Sequence, residues 1–489
     1  MSIIKVENLT FSYLSNYDNI FENTSFQIDT DWKLGFIGRN GRGKTTFLNL
    51  LLGKYEYKGK IVSSVKFDYF PYDVGDKSRY VYEIFAEIAP RAEEWELIRE
   101  LSYLEIDADI LYRNFETLSN GEQTKVLLAV LFCNEGHFLL IDEPTNHLDT
   151  KGRELVASYL KRKKGFILVS HDRRFLDDCV DHILSLNRAT IEVQNGNFSS
   201  WYENFNRTRQ FEMTQNERLQ RDISRLQEAA TRTANWSEKL EDTKIGYGGC
   251  DRGYIGHKSA KLMKRAKAIE GRVMNAIEQK KGLLKNVEMT DSLKLAPQSY
   301  RQEQLAVFDN VVVSYGGKEI CAPTSIEIIR GDRIALCGKN GSGKSSLLKL
   351  LVGADIHYEG VVKLGSGLTI SYVPQDFSHI SGKLSNFAFE NNIDESLFKT
   401  ILRKMDFERS QFDKDIRDFS CGQKKKVLLA KSLCEKAHLY VWDEPLNYID
   451  LYSRVQIEQL IKEFAPTMIF VEHDAVFCDE IATKIVHLE

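Results

Sequence analysis

The chain has 489 residues, of which 43% are hydrophobic and 28% charged, with a formal net charge of −4, and this composition fits a globular protein of two or three domains. No stretch approaches the roughly 20 apolar residues of a membrane helix, and the N-terminus lacks the regions of a signal peptide. The eight cysteines form no C-x-x-C pair, which argues against a zinc or iron–sulfur site and fits a reducing, cytoplasmic location.

The first 195 residues alternate apolar runs with helical segments. The N-terminal segment alternates apolar and polar residues as a strand does, and three short apolar runs follow at Leu34–Ile37, Phe138–Ile141 and Phe166–Val169. Buried strands followed by helices predict an α/β domain with a largely parallel sheet.

A glycine-rich loop, GRNGRGKTT, follows the first apolar run. Its spacing is that of G-x-x-x-x-G-K-[ST], in which backbone N–H groups can approach phosphates closely. Lys44 would reach the β- and γ-phosphates of ATP, Thr45 would bind Mg²⁺, and the dipole of the following helix favours negative charge. The predicted nucleotide-binding residues are Gly38, Asn40, Gly41, Gly43, Lys44, Thr45 and Thr46.

An acidic pair, Asp142–Glu143, ends the second apolar run. The carboxyl end of a parallel strand lies at the sheet edge that carries the phosphate loop. Asp142 suits Mg²⁺, and Glu143 suits a base that orients or deprotonates the attacking water. The first half therefore predicts a domain that hydrolyses ATP with Mg²⁺.

The middle of the chain is basic: residues 196–300 contain 19 Lys+Arg against 13 Asp+Glu, a net charge of +6, which leaves −10 for the rest. Apolar residues spaced by three and four predict helices over about 198–234 and 258–285, joined by a glycine-rich segment. Basic residues with interleaved aromatics favour RNA contact over a solvated helix face. Candidate residues at the tip of this hairpin are Lys244, Tyr247, Cys250, Arg252, Tyr254, Ile255 and Lys258.

The second half repeats the first. Three motifs recur in the same order: GRNGRGKTT returns as GKNGSGKSS after 300 residues, FLLIDEPTNHLD as LYVWDEPLNYID after 301, and SHD as EHD after 302. Because the three offsets are nearly equal, they indicate a duplication. We predict domains over 1–197 and 301–489 with a helical hairpin over 198–300. The corresponding site residues are Gly338, Asn340, Gly341, Gly343, Lys344, Ser345, Ser346, Asp443 and Glu444.

Two further motifs, LSNGEQ and FSCGQK, follow the loop lysines by 75 and 76 residues and resemble the signature of ABC ATPases. In that family the signature of one domain closes over the nucleotide held by the other. The resemblance implies a site one with Lys44, Ser420 and Gly422, and a site two with Lys344, Ser119 and Gly121. Both would form within one monomer.

The resemblance extends to other positions. His171 and His473 match the histidine that contacts the γ-phosphate, and Gln375 matches a glutamine near Mg²⁺. Tyr13 and Tyr315 match the aromatic that stacks on adenine, although a core tyrosine is the alternative. The halves differ where Tyr72 replaces the glutamine and where Asn120 and Cys421 replace a signature glycine. We therefore predict two competent sites of unequal rate.

Tandem cassettes, a charged helical linker and the motif EPTNHLD resemble the ABC-F family. The spacing of 75 residues between Lys44 and Ser119 leaves no room for the arm subdomain that housekeeping members of the family carry. Three segments of the chain look like those of the Lsa/Vga-type antibiotic-resistance members: WKLGFIGRNGRGKTT, GYIGHKSAKLMKRAK and WDEPLNYIDLYSRVQIE. The resemblance implies a protein that binds the E site of the 70S ribosome, near 23S rRNA and the P-site tRNA. It would confer resistance to lincosamides, streptogramin A compounds and pleuromutilins.

Three other functions are compatible with parts of this pattern. A housekeeping translation factor that rescues stalled ribosomes would use the same architecture. The energy module of a membrane exporter would leave the basic hairpin unexplained, and a DNA-repair ATPase would be expected to carry long coiled coils or zinc motifs.

Overall fold

The computed structural model describes residues 2–13, 19–146, 148–187, 190–242, 293–407 and 411–488. The chain divides into two units, one formed by Met1–Trp201 with Thr290–Glu489 and the other by Tyr202–Met289. The seven residues predicted for the hairpin tip, from Lys244 to Lys258, and the second predicted helix lie outside the described residues. In the part of the chain that is described, no helix is both long and apolar enough to span a membrane.

The first cassette is built from strands and helices in alternation. Its strands are β1 (Ile3–Phe11), β2 (Phe21–Asp29), β3 (Lys33–Ile37), β4 (Lys58–Val62), β5 (Lys66–Phe70), β6 (His137–Asp142), β7 (Phe166–Val169), β8 (His182–Asn187) and β9 (Thr190–Asn195). Its helices are α1 (Lys44–Leu51), α2 (Val81–Ile88), α3 (Glu94–Tyr103), α4 (Asn120–Phe132), α5 (Thr150–Arg162) and α6 (Arg173–Cys179), with 3-10 helices at Ala108–Tyr112 and Phe115–Thr117.

A mixed sheet forms the centre of this cassette, with strand order β5-β6-β7-β3-β8-β9 and only β9 antiparallel to its neighbour. A second, antiparallel sheet has the order β2-β1-β4. Apolar side chains of both sheets pack around α1, which places Phe36, Phe47 and Ile167 in one buried core. The predicted parallel sheet is confirmed, because runs such as Phe166–Val169 are buried along their whole length.

The second cassette repeats this plan. Its strands are β10 (Gln304–Tyr315), β11 (Lys318–Glu319), β12 (Thr324–Ile329), β13 (Arg333–Gly338), β14 (Tyr358–Leu364), β15 (Ile370–Val373), β16 (Leu439–Asp443), β17 (Met468–Val471) and β18 (Lys484–Leu488). Its helices are α8 (Lys344–Leu351), α9 (Leu384–Glu390), α10 (Glu395–Lys404), α11 (Cys421–Cys434), α12 (Leu451–Phe464) and α13 (Ala475–Ile481), with a 3-10 helix at Ile416–Asp418. The parallel sheet has the order β15-β16-β17-β13-β18.

Helix α7, which precedes the second cassette, spans Phe198–Asp242. The apolar spacing predicts an end near Ala234, but the described helix continues to Asp242. Residues 235–242 contain neither glycine nor proline, so no residue in this stretch interrupts the helix.

Side chains from the two cassettes meet directly. Arg42 donates to Asp406 at 3.2 Å, and Arg173 forms a buried ion pair with Glu458. Both pairs join the two cassettes, and the first of them starts from the glycine-rich loop of the first cassette.

Candidate functional site

The glycine-rich loop of the first cassette wraps around the ammonium group of Lys44. The Lys44 Nζ atom donates to the carbonyl oxygen of Gly38 at 2.6 Å and to the Asn40 Oδ1 atom at 3.1 Å. Gly43 has φ 105°, and a Cβ atom there would lie 2.5 Å from the Ile20 side chain, so only glycine fits. Burial lowers the pKa of Lys44, which the nearby Asp450 carboxylate opposes.

A hydroxyl and a carboxylate meet beside each loop. Thr45 Oγ1 donates to Asp142 Oδ2 at 2.9 Å, and Ser345 Oγ donates to Asp443 Oδ1 at 3.1 Å. The Asp443 Oδ2 atom is buried and has no hydrogen-bond partner, and burial raises the pKa of Asp443 to about 6. Mg²⁺ prefers oxygen ligands and takes one or two carboxylates together with substrate phosphates, so these residues fit the ion.

Each acidic strand end also places a glutamate beside a histidine. His171 Nε2 lies 3.3 Å from Glu143 Oε1, and His473 Nε2 lies 3.6 Å from Glu444 Oε1. His171 also lies 3.0 Å from Asn40 Oδ1, which connects it to the phosphate loop. His171 is therefore placed between its candidate base and the phosphate loop, and His473 lines the cavity at site two beside its own candidate base.

The environments of the two glutamates differ. Burial, and then the negative charge of Asp142, raises the pKa of Glu143 to about 8. Burial acts the same way on Glu444, but the neighbouring His473 and Gln375 side chains outweigh it and hold the pKa of Glu444 below its usual value. At neutral pH these shifts favour the ionised form of the candidate base in the second cassette and the protonated form in the first.

Tyr72, which replaces the glutamine in the first cassette, does not take over its contact. The Tyr72 hydroxyl donates to Glu87 Oε1 at 3.1 Å on the surface of the cassette. Gln375 instead lines the same cavity as Glu444. Site one therefore has a tyrosine that is bonded elsewhere at the position where site two has an amide beside its base.

A cavity of about 800 Å³ lies between the cassettes at site two. This volume falls within the range of small-molecule pockets. Ser119 and Gly121 line it from the first cassette, and Lys344, Ser345 and the His473 side chain line it from the second. Further lining residues include Asn340, Gly341, Gly343, Ser346, Gln375 and Glu444.

At site one the two cassettes are in contact. Asn40 Nδ2 donates to the carbonyl oxygen of Tyr448 at 2.7 Å. Gly422 lies so close that a Cβ atom there would be 2.6 Å from the same oxygen and 3.1 Å from Asn40 Nδ2. Ser420 caps helix α11 by accepting from the Gln423 N–H, so the signature forms the N-terminal end of the helix, and this end lies against the phosphate loop.

The tyrosines predicted to stack on adenine stand beside the loops in different surroundings. Tyr13 Oη lies 2.9 Å from Thr46 Oγ1, and its ring packs on Phe11 with centroids 5.1 Å apart. Tyr315 Oη lies 3.3 Å from Ser346 Oγ, and the residue is 46% exposed. The Tyr315 ring is therefore more available than the Tyr13 ring for stacking on adenine.

Known proteins match this architecture over nearly the whole chain. The ribosome protection protein VmlR of Bacillus subtilis is 26% identical over 96% of this chain and 84% of its own. The ATP-binding protein Uup of Buchnera aphidicola is 27% identical over 99% of this chain and 80% of its own. The sequence model of the ABC transporter family matches residues 21–146 and 321–447. The chain belongs to the ABC transporter family, in its ABC-F group.

Solved structures agree with this fold. An archaeal ribosome recycling factor, aABCE1, in complex with the ribosomal stalk protein aP1, aligns with a TM-score of 0.63 at 20% identity, covering 99% of this chain and 87% of that one. A protein described as RNase-L Inhibitor aligns with a TM-score of 0.61 at 19% identity, covering 99% and 88%. These structures therefore support a fold of two tandem cassettes, and the match to the ABC transporter family makes the ABC-F protein an ATPase.

Sequence reasoning missed two buried lysines in helix α11 of the ABC-F protein. Lys426 Nζ donates to Asp450 Oδ2 at 2.8 Å, and Lys425 Nζ donates to the carbonyl oxygens of Pro374 at 2.9 Å and Asp443 at 3.2 Å. Burial lowers the pKa of Lys425 to about 8, against the opposing effect of nearby carboxylates such as Glu472. The run QKKK directly after the signature glycine is the signal that could have found them.

Gly422→Ala is expected to slow site one of the ABC-F protein. The added methyl group would meet the Tyr448 backbone, so the signature would have to move away from Asn40, and a small displacement at a catalytic interface lowers turnover by about tenfold or more. The test is ATP turnover in a Glu444→Gln background, where site one alone keeps its glutamate. Gly75→Ala is the matched control, because a Cβ atom at Gly75 meets nothing within 4 Å. An unchanged site-one rate would contradict the close approach.

Proposed function

We propose that this ABC-F ATPase protects the ribosome against antibiotics of the peptidyl-transferase centre, namely lincosamides, streptogramin A compounds and pleuromutilins. The observation that carries the proposal is the similarity to a protein named for ribosome protection, which extends through both cassettes and the segment between them. The short 75-residue spacing between Lys44 and Ser119 supports the same proposal, since it leaves no room for an arm subdomain.

ATP would bind where the phosphate loop of one cassette faces the signature of the other. In site two, Lys344 would contact the phosphates, and Ser119 with Gly121 would cover them from the facing cassette. The open cavity at site two and the direct Asn40–Tyr448 contact at site one support a clamp that closes as the sites fill. Closure of both sites in one chain fits a monomer that acts from the ribosomal E site.

Mg²⁺ would be held by Thr45 with Asp142 in site one and by Ser345, Asp443 and Gln375 in site two. When bound, the ion neutralises charge on the phosphates and orients them. Glu143 and Glu444 would each accept a proton from, or orient, the attacking water, while His171 and His473 contact the γ-phosphate side of the site. Hydrolysis would then open the clamp and release the protein.

The basic segment between the cassettes would carry the specific action on the ribosome. Its positive charge suits rRNA and tRNA phosphates, whereas the rest of the chain is acidic. The residues predicted for its tip, from Lys244 to Lys258, would extend toward the P-site tRNA and the drug site.

The proposal is tested by expressing the protein in a susceptible Gram-positive host and measuring inhibitory concentrations for the three drug classes. We expect the wild-type protein to raise them and the Glu143→Gln/Glu444→Gln double variant not to do so, because release from the ribosome requires hydrolysis. Drugs that act outside the large-subunit centre serve as controls. Unchanged inhibitory concentrations for every drug of the centre would refute the proposed protection.

A housekeeping translation factor is the second candidate, favoured by the equal similarity to Uup, a relative whose name specifies only ATP binding. Such a factor would alter polysome profiles in the absence of any drug. Co-purification of the double Glu→Gln variant with ribosomes would support both ribosomal functions, whereas co-purification with a membrane protein would favour an exporter subunit.

A further inference from the structure

Lys425 is a buried cation with no counterpart in the first cassette. It lies in helix α11, five residues after Ser420, and is 1% exposed. The matching position, five residues after Ser119, is Thr124. Because the signatures and the helices that follow them correspond residue by residue, this is a real difference between the cassettes.

The two bonds of Lys425 fall on the peptide groups that carry the polar residues of site two. One acceptor is the carbonyl oxygen of Pro374, in the peptide bond that leads to Gln375. The other is the carbonyl oxygen of Asp443, in the peptide bond that leads to Glu444. A single ammonium group thus connects the peptide that leads to Gln375 with the peptide that leads to Glu444.

The peptide between Asp443 and Glu444 needs such support. Glu444 has φ 46°, in the left-handed region that non-glycine residues rarely adopt, and backbone strain of this kind persists only where neighbours hold it. Its N–H donates to the carbonyl oxygen of Val471 at 3.0 Å, and Lys425 binds the carbonyl oxygen on the other side of the same peptide. The peptide is therefore held from both sides.

The first cassette has the same strain without the lysine. Glu143 has φ 51°, and its N–H donates to the carbonyl oxygen of Val169 at 2.9 Å. A cavity of about 350 Å³ lies at the matching place, lined by Pro71, Thr124, Asp142 and other residues. Threonine is too short to bridge the two peptides as Lys425 does.

We propose that Lys425 is a positioning residue for site two, where it holds the peptide groups that carry Gln375 and Glu444 and so makes site two the faster of the two ATPase sites. The inference rests on the ATPase activity and on the roles proposed above for the two glutamates. It does not depend on the ribosomal role, so a failure of drug protection would leave it intact.

The test is Lys425→Met in two backgrounds. With Glu143→Gln, where site two alone keeps its glutamate, we expect kcat to fall at least about tenfold while KM for ATP stays within about twofold, since the loss of two charged hydrogen bonds loosens the peptides that carry Gln375 and Glu444. With Glu444→Gln, where site one alone keeps its glutamate, we expect the rate to stay within about twofold. Lys436→Met removes an exposed lysine of the same cassette and serves as the control.

A merely structural role would give a different result. Helix α11 begins at the signature that covers site one, so a general disturbance of the helix would slow site one as much as site two. That outcome, or no change in either background, would overturn the proposal. If Lys425→Met does not fold, Lys425→Gln is used instead, because it keeps one donor group at this position. Its kcat is measured in the Glu143→Gln background, and an unchanged melting temperature shows that the fold is intact. A fall in kcat then supports the proposal, and an unchanged kcat contradicts it.

Discussion

Replacing Glu444 by glutamine is expected to lower the steady-state ATP turnover of the chain at least about tenfold, whereas Glu143→Gln is expected to remove no more than about half of it. Glutamine preserves the size of the side chain but cannot accept the proton of the attacking water. The larger loss is expected at the site whose base is ionised and better positioned.

The surroundings of the two glutamates give the reason for this inequality. The neighbouring His473 and Gln375 side chains keep the pKa of Glu444 below its usual value, while burial raises the pKa of Glu143 to about 8. A base that is already ionised at pH 7 needs no prior loss of a proton.

Phosphate release at pH 7 from purified single variants provides the measurement. Glu390→Gln, at an exposed position on helix α9, is the matched control and should turn over ATP like the wild type. Equal losses in the Glu143 and Glu444 variants would mean that the two sites contribute equally, despite their different surroundings. The double variant should retain almost no activity, and substantial residual turnover would show that neither glutamate is the base.

The parallel sheets follow from the sequence because their central strands are short, nearly continuous apolar runs. The predicted run Phe166–Val169 coincides with strand β7, and the runs Leu34–Ile37 and Phe138–Ile141 differ from strands β3 and β6 by a single residue at one or both ends. Strands of a parallel sheet that is covered on both faces are buried on both sides, so a short continuous apolar run predicts such a strand. The duplicated motifs then determine which ends carry the phosphate loops and the acidic pairs.

The differences between the two ATP sites could be predicted only in part from the sequence. The sequence shows that Tyr72 stands at the position equivalent to Gln375. It does not show that the Tyr72 hydroxyl donates to Glu87. The run QKKK marks the position of Lys425, but its contacts could not be assigned, because its two acceptors lie 51 and 18 residues away along the chain. The Asn40–Tyr448 contact joins residues 408 positions apart. Contacts of this kind depend on how the cassettes pack, which no local pattern specifies.

Site one is expected to gain activity with rising pH. In the Glu444→Gln variant, kcat/KM for ATP should increase about fivefold to tenfold between pH 7 and pH 9, because kcat/KM reports the ionisation of the free enzyme. Burial, followed by the negative charge of Asp142, raises the pKa of Glu143 to about 8, so the carboxyl is protonated below that pH and can act as a base only above it. In the Glu143→Gln variant no such rise is expected, since the pKa of Glu444 is lowered and this group is ionised throughout the range.

The kcat profile of the same Glu444→Gln variant reports the Glu143 carboxyl in the loaded site, and the difference between its midpoint and that of the kcat/KM profile measures how the bound nucleotide changes the pKa of Glu143. Mg²⁺ held by Thr45 and Asp142 would favour the ionised carboxylate, and the phosphates of ATP would oppose it. Measuring both profiles therefore separates the free site from the loaded one. A flat kcat/KM profile would show that Glu143 is already ionised in the free enzyme, and the inequality of the two sites would then rest on Gln375 and Lys425 rather than on the protonation of the base.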